Sequence, residues 1–287
     1  MGTKFDFEDK IDISWCPGCG NFALLKILKE VFEELGLDGK NICISSGIGQ
    51  AAKMPQYINN INYYNGLHGR ALPVAAAIQM ANPKMTLIAE GGDGDSYGEG
   101  GNHFMHNIRR NLNILHLVHD NQIYGLTKGQ GSPTSGIGLK TSTHPDGSYN
   151  EPFNPIATAI TLGAGFVARA FTGNAEEAKY IIKEAIKYEG YALINIFDPC
   201  VTFNKVNTFK WYKDHTKPLS DDYDPSNKMK ALEIAFNNEE LATGIIYKSK
   251  DRRKTFVENL NIYSKGDLTP LYERKPHDLN KVKSLLY

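Results

Sequence analysis

The sequence predicts an α/β fold in which a doubly wound parallel sheet carries helices on both faces. Three observations lead to this prediction: short apolar strands alternate with helical segments, glycine-rich loops follow several of the strands, and the chain can bury a large core. The chain has 287 residues, of which 41% are hydrophobic and 22% charged. That length suits one large domain with an appendage or two small domains.

The predicted elements alternate along the first two thirds of the chain. Apolar residues recur at helical spacing from Phe22 to Leu35, and Gly36 is a plausible end for this first helix. Strands are predicted at 41–45, 85–90, 114–119, 165–171 and 192–197, and helices at 70–81, 100–111, 155–164 and 175–188. After residue 205 the composition becomes polar and turn-rich, before a helix near 226–237 and a strand at 244–248. We therefore expect a domain over 1–205 and a C-terminal extension over 206–287.

Charge and hydropathy exclude several classes of protein. The formal net charge is zero, so no broad attraction to nucleic acid or to a membrane surface is expected. The longest nearly apolar run, residues 71–81, is shorter than the ~18 residues that a membrane span needs. Charged residues stand where a signal peptide would place its apolar core. A cytoplasmic protein is expected, in which Cys16-Pro-Gly-Cys19 is more often a metal or redox pair than a disulfide.

A glycine-rich loop after the second predicted strand carries the clearest chemical signal. It reads Gly92-Asp93-Gly94-Asp95, and Asn121 follows the next strand. Glycines allow backbone N–H groups to approach a phosphate, and carboxylate and amide oxygens suit Mg²⁺. Ligands bind at the carboxyl ends of parallel strands, so Asp93 and Asn121 are expected to lie close together. Taken alone, Gly-Asp-Gly could equally be an ordinary turn.

The ordered set of motifs resembles the beta subunit of archaeal 2-oxoacid:ferredoxin oxidoreductases. The motifs are WCPGCGN at 15, SGIG at 46, LHGRALP at 67, GGDGD at 91, GGNHFMHNIRRN at 100, DNQIYGLTKGQ at 120, SPT at 132 and PCVTFN at 199. The resemblance implies a thiamine diphosphate-binding fold and a CoA-dependent oxidative decarboxylation of pyruvate or another 2-oxoacid. Electrons would pass through an iron–sulfur cluster to ferredoxin. It also implies an alpha subunit that supplies the pyrimidine-binding domain, because this chain shows no second domain of that kind.

The resemblance also implies roles for individual residues. Mg²⁺ would be held by Asp93, Asn121 and the carbonyl of Ile123. The cofactor would be bordered by Ile48, Gly49, Gln50, Ala51, His68, Gly92, Gly94, Asp95, Gly125 and Leu126. His68, Lys53 and Lys128 would be catalytic, the two lysines as cations near the substrate carboxylate. The alternatives are a hydrogen-bonded core histidine and two solvated surface lysines.

The cysteines match the family only in part. Cys16, Cys19 and Cys200 correspond to three ligands of a [4Fe–4S] cluster, whereas Gln50 stands where the family places the fourth. Cys43 lies in the preceding strand, about 20 Å away at ~3.3 Å per residue, and is expected to be a buried core thiol. The cluster could use an external fourth ligand, could be a three-iron form, or could be absent. An oxidoreductase, a thiamine diphosphate decarboxylase or carboligase without a functional cluster, and a scaffolding subunit therefore all remain open.

Overall fold

The computed structural model describes residues 2–237, 240–263, 265–275 and 283–284. Within these residues, an eight-stranded sheet forms the centre of the molecule, in the strand order β2-β1-β3-β4-β8-β7-β10-β9. The strands, together with a separate two-stranded ladder of β5 and β6, are β1 (Ile42–Ser46), β2 (Asn62–Asn65), β3 (Thr86–Gly92), β4 (Ile114–Asp120), β5 (Ile123–Tyr124), β6 (Gln130–Gly131), β7 (Phe166–Phe171), β8 (Tyr191–Phe197), β9 (Thr216–Pro218) and β10 (Leu241–Lys248).

Helices cover both faces of the sheet, which confirms the predicted α/β class. They are α1 (Gly20–Glu34), α2 (Ala71–Ala81), α3 (Gly101–Arg110), α4 (Pro155–Leu162), α5 (Ala175–Lys187), α6 (Phe209–His215) and α7 (Lys228–Phe236). One core cluster joins the sheet to α1 and α5, and a second joins it to α2, α3, α4 and α7. Of the helices in the described ranges, none has the length and apolarity needed to cross a bilayer.

Strand β4 shows how the sequence pattern produces these two layers. All seven of its residues are buried, as expected for a strand covered on both faces. Successive side chains alternate between the faces, so Leu115 and Leu117 join the core beneath α1, whereas Ile114 and Val118 join the core beneath α3 and α4. The run ILHLVH was therefore readable as a strand because it is short, apolar and bounded by polar residues.

The sheet is parallel except at one edge. The strand pairs from β2 through β7 in the sheet order are all parallel, whereas β10 pairs with β7 in the antiparallel direction. Strands β9 and β10 come from the C-terminal extension and complete this edge of the same sheet. Strand β2 forms the opposite edge and was not predicted, because its four residues are all exposed and show no apolar pattern.

Candidate active site

A cavity with about 850 Å³ of empty space, partly open to solvent, lies at the carboxyl ends of β1, β3, β4 and β8. Every residue that the sequence predicted to border the cofactor lines it: Ile48, Gly49, Gln50, Ala51, His68, Gly92, Gly94, Asp95, Gly125 and Leu126. The predicted metal ligands Asp93, Asn121, Ile123, Cys16, Cys19 and Cys200 line it as well.

Asp95 ties together the loops on one side of the cavity. Its Oδ1 accepts hydrogen bonds from the backbone N–H of Ile48 at 3.0 Å and of Gly69 at 2.9 Å, and lies 3.0 Å from His68 Nδ1. Burial raises the pKa of Asp95, while these hydrogen bonds act in the opposite direction. Because Asp95 occupies Nδ1 of His68, Nε2 is the ring nitrogen that a bound molecule can reach.

Asp93 is buried and sits within a cluster of hydroxyl groups. Its Oδ2 accepts hydrogen bonds from Ser132 Oγ and, at 2.5 Å, from Thr134 Oγ1. Thr134 Oγ1 also lies 2.8 Å from Asp120 Oδ1, although one hydroxyl proton cannot be donated to both carboxylates at once. Burial, and then the charge of Asp120, raise the pKa of Asp93 to about 7. A cation bound at Asp93 would relieve this repulsion.

Asp120 connects the loop to a polar network inside the sheet. Its Oδ2 accepts a hydrogen bond from Asn195 Nδ2 at 2.8 Å, and Asn195 Oδ1 accepts one from Tyr97 Oη at 2.8 Å. Burial lowers the pKa of Arg169 to about 10, while Asp120 and Tyr97 act in the opposite direction.

The sequence pattern predicted no role for Asp120, Ser132 or Thr134, although SPT at 132 was among the matching motifs. Their roles depend on contacts that only the folded chain creates.

The turn after β4 places two predicted ligands of Mg²⁺ side by side. Asn121 Oδ1 accepts a hydrogen bond from the backbone N–H of Ile123 at 3.0 Å. Between them Gln122 has a φ of 57°, in the left-handed region, and its carbonyl accepts a bond from Ser135 Oγ at 2.6 Å. Left-handed backbone costs a residue with a side chain about 1–2 kcal/mol, so surrounding contacts must hold this turn. Carboxylate, amide and carbonyl oxygens at one place match the preference of Mg²⁺.

Gly94 and Gly49 both line the cavity and have different reasons to be glycine. A Cβ at Gly94 would clash with the ring of Tyr124, a cavity residue that the sequence pattern did not predict. Gly49 has a φ of 118°, and a Cβ placed there would meet nothing within 4 Å. Both positions therefore favour glycine, Gly94 because of its contact with Tyr124 and Gly49 because of its positive φ. The free space beside Gly49 leaves its backbone accessible in the way that a diphosphate site requires.

The cysteines line the other end of the same cavity. Cys16 and Cys19 lie in the turn before α1, where the Cys19 N–H donates to the Cys16 carbonyl at 3.0 Å, and Cys200 follows β8. Burial, and then the charges of Asp198 and the neighbouring cysteines, raise the pKa of Cys19 to about 12. A thiol with so high a pKa is not a nucleophile at neutral pH. Cys43 is buried in β1, which confirms the prediction of a core thiol.

A buried charged network lies behind the cysteine segments. His119 Nε2 lies 2.8 Å from Glu90 Oε1, and its Nδ1 lies 2.8 Å from Asn21 Oδ1 and 3.7 Å from Asp198 Oδ2. Burial alone would lower the pKa of His119, but the hydrogen bonds and charges of Asp198 and Glu90 raise it to about 9. Asn21 is two residues after Cys19 and Asp198 is two before Cys200, so the network links both segments to the sheet.

The two predicted catalytic lysines lie outside the lining of this cavity. Lys53 is half-buried in the 3₁₀ helix Ala51–Tyr57. Lys128 is exposed, with a φ of 76°, and lines a neighbouring cavity together with Lys140. Their place near a substrate carboxylate stays a prediction.

Comparisons with known proteins agree with this architecture. Residues 44–196 match the family model described as "Thiamine pyrophosphate enzyme, C-terminal TPP binding domain". Residues 200–265 match the family model for the C-terminal part of the pyruvate ferredoxin oxidoreductase beta subunit. The first match contains strands β2 to β7 and most of β1 and β8, and it covers more than half of the chain.

Individual relatives cover most of the chain. The 2-oxoacid:ferredoxin oxidoreductase subunit beta of Saccharolobus solfataricus is 43% identical over 227 residues, 78% of this chain and 73% of the relative. The subunit of the same name from Sulfolobus sp is 40% identical over 266 residues, 91% of this chain and 84% of the relative. A solved structure of 2-oxoglutarate:ferredoxin oxidoreductase from Magnetococcus marinus, with 2-oxoglutarate, coenzyme A and succinyl-CoA bound, is 37% identical with a TM-score of 0.89, covering 99% of this chain and 94% of that one. This chain belongs to the family of 2-oxoacid:ferredoxin oxidoreductase beta subunits.

Proposed function

We propose that the chain, together with an alpha subunit, catalyses the CoA-dependent oxidative decarboxylation of a 2-oxoacid in the cytoplasm. The products are an acyl-CoA, CO₂ and a proton, and the electron pair released passes to ferredoxin. The observation that carries this proposal is the convergence of the Gly92–Asp95 loop, Asn121, His68 and three cysteines on one cavity. The residues that we assign to catalysis, to diphosphate binding and to sulfur ligation thus lie at the same end of the sheet, which supports the proposal.

The residues present fit the cofactors that this reaction needs. Asp93, Asn121 and the Ile123 carbonyl would hold Mg²⁺, and the backbone at Gly49 and Gly94 would face the diphosphate. Thiamine diphosphate, when bound, supplies the electron sink that allows a 2-oxoacid to lose CO₂. Cys16, Cys19 and Cys200 offer three of the thiolates that an iron–sulfur cluster uses.

The chain's own side chains hold the loops of the cavity in place and orient His68. Asp95 fixes the loops bearing Ile48 and Gly69 and orients His68, whose Nε2 is then available to donate or accept a hydrogen bond at the reacting molecule. Lys53 and Lys128 do not line this cavity, and we keep them as candidate cations for a substrate carboxylate at the border that an alpha subunit would complete. We therefore place the active site at the interface with the alpha subunit, which would contribute the pyrimidine-binding domain.

A second candidate function follows from Gln50. If the cysteines do not hold a functional cluster, the same cavity would serve a thiamine diphosphate-dependent decarboxylase or carboligase. Such an enzyme would release CO₂ without reducing ferredoxin, and its other product would be an aldehyde or a hydroxyketone instead of an acyl-CoA.

The two candidates differ in their products. The chain is coexpressed with its partner and purified without oxygen, and pyruvate, 2-oxoglutarate and branched 2-oxoacids are supplied with CoA and ferredoxin. We expect one acyl-CoA and two electrons transferred to ferredoxin for each CO₂ released, all dependent on CoA. CO₂ with aldehyde and no reduced ferredoxin would favour the second candidate. No turnover of any 2-oxoacid, with thiamine diphosphate bound, would leave a scaffolding role.

A further inference from the structure

The cysteine end of the cavity contains three thiols and one carboxamide. Cys16, Cys19, Cys200 and Gln50 all line the cavity, and Trp15 Nε1 donates to the Gln50 carbonyl at 2.9 Å, which fixes Gln50 beside the cysteine turn. The sequence has four cysteines in all. The fourth, Cys43, is buried in the core cluster beneath α2 and α3, so it cannot contribute a thiolate to this cavity.

The side chain of Gln50 has an unsatisfied acceptor at this place. Its Oε1 is buried and makes no hydrogen bond within the described part of the chain. A buried acceptor without a partner costs about 1–3 kcal/mol, so such atoms usually have a ligand, an ion or a water as their partner. Gln50 lines the same cavity as the three cysteines, and Asp95 Oδ2, on the same lining, is also buried without a partner among the described residues. A cofactor group bound in this cavity would supply the missing hydrogen-bond partners.

The arrangement also argues against a single metal ion. Among the residues that the structure describes, no three His, Cys, Asp or Glu side chains surround a common point where one ion could bind. In a cubane cluster each thiolate binds a different iron atom, so the sulfurs stand further apart than in a tetrahedral zinc site. Three cysteines line this cavity without a fourth thiol among its lining residues, which matches three corners of a cluster and leaves one corner for another ligand.

We infer that Cys16, Cys19 and Cys200 hold three irons of a [4Fe–4S] cluster, and that the fourth iron faces Gln50 with an exchangeable oxygen ligand in place of a thiolate. This inference rests on the proposed function, because it assumes that a cluster is present. The open iron is a binding site for small soft anions such as cyanide. Because a neutral oxygen ligand replaces an anionic sulfur, the cluster also has a less negative reduction potential than one with four thiolates.

The test compares the wild type with Gln50→Cys and Gln50→Ala, each purified without oxygen in complex with the partner subunit. Iron and sulfide are measured first, followed by the electron paramagnetic resonance spectrum of the reduced cluster with and without cyanide. Iron retained after mild oxidation and the reduction potential are then determined. Thermal unfolding of each complex verifies that the variants are folded.

We expect cyanide to change the spectra of the wild type and of Gln50→Ala, and oxidation to remove about one iron in four from both. Gln50→Cys should resist cyanide, keep its iron and have a more negative potential. If cyanide leaves the spectrum of the wild-type cluster unchanged and oxidation removes no iron, the inference is overturned but the proposed function is not. Another group, such as a partner thiolate, would then be the ligand of the fourth iron. A wild-type complex that turns over a 2-oxoacid with thiamine diphosphate but contains no iron or sulfide would overturn both the inference and the electron-transfer part of the proposed function.

Discussion

At the oxygen-lined end of the cavity, hydrogen bonds within the chain hold the carboxylate side chains, whereas at the cysteine-lined end they hold backbone carbonyl groups. At the oxygen end, Asp95 Oδ1 has three nitrogen partners and Asp93 Oδ2 has two hydroxyl partners. At the cysteine end, Gln50 Oε1 has no hydrogen-bond partner among the described residues, and at the oxygen end the same holds for the second carboxylate oxygen of Asp95, Oδ2. The nearest charged network there, around His119, acts on the residues that flank the cysteines.

This difference has a chemical cause. Carboxylates and amides are strong hydrogen-bonding groups, so protein donors can hold them in place before a cation arrives. Thiols are weak donors and acceptors, so the geometry of a sulfur site depends on the metal that it binds. We therefore expect changes at the oxygen end to alter affinity within an intact frame. Changes at the cysteine end should instead decide whether its cofactor is present at all.

The largest expected effect is at Asp93. Asp93→Ala removes the only carboxylate among the three proposed Mg²⁺ ligands. The affinity of the complex for thiamine diphosphate in the presence of Mg²⁺ should fall by more than about 100-fold. In other metal sites, substitution of residues that contact only the metal ligands already reduces metal affinity by about 10–100-fold. Titration calorimetry of the purified complex measures the affinity for thiamine diphosphate. Asp146→Ala, in an exposed loop, is the matched control. Unchanged affinity in Asp93→Ala would show that the loop does not hold the cation.

The next effect is at the cysteine end. Cys200→Ser should lose most of its bound iron and sulfide while still binding thiamine diphosphate, because the oxygen end does not depend on it. Cys43→Ala is the control, since Cys43 is in the core and should leave the iron content unchanged. Metal analysis and the visible spectrum of anaerobic protein report the cluster. Equal iron in the wild type and Cys200→Ser would remove Cys200 from the ligand set.

The same contrast explains what could be predicted from the sequence. Strands such as β4 and the glycine-rich loop were predictable, because local apolar patterns and glycine positions determine them. Fold rules then place loops at the carboxyl ends of the strands together, so Asp93, Asn121 and His68 could be assigned to one cavity. Ser132 and Thr134 could not, because their roles depend on contacts with Asp93 and Asp120, which are distant from them in the sequence. Strand β2 was missed because its residues are exposed.

The pH dependence of Mg²⁺ affinity should further distinguish the oxygen-lined end of the cavity from the cysteine-lined end. Because the pKa of Asp93 is raised to about 7, a proton competes with Mg²⁺ below that pH. Affinity for Mg²⁺ should therefore fall by up to about tenfold per pH unit below 7, since one proton is displaced for each ion bound. The stability of the cofactor-free protein should change in the opposite direction. A raised carboxyl pKa makes the folded state bind more protons, so its contribution to stability rises as the pH falls through 7.

Asp120→Asn tests the cause of this pH dependence. The charge of Asp120 is one of the two factors that raise the pKa of Asp93, so its removal should move the loss of Mg²⁺ affinity to lower pH. Calorimetric titrations between pH 5.5 and about 8 in both proteins provide the comparison. An identical pH profile in the variant would mean that burial alone controls the proton at Asp93.

The smallest expected effect is at Gln122, which sits between two proposed Mg²⁺ ligands with a φ of 57°. Gln122→Gly removes the cost of about 1–2 kcal/mol that a left-handed conformation imposes on a residue with a side chain. A glycine also loses more backbone entropy on folding, which costs about 0.5–1 kcal/mol. The free energy of unfolding in urea should therefore rise by at most about 1.5 kcal/mol. Gln122→Val is the matched opposite change, because a β-branched residue tolerates positive φ poorly, and it should destabilise the protein. If glycine and valine gave equal stability, the turn would not be strained, and the oxygen end would hold its ligands without any backbone cost.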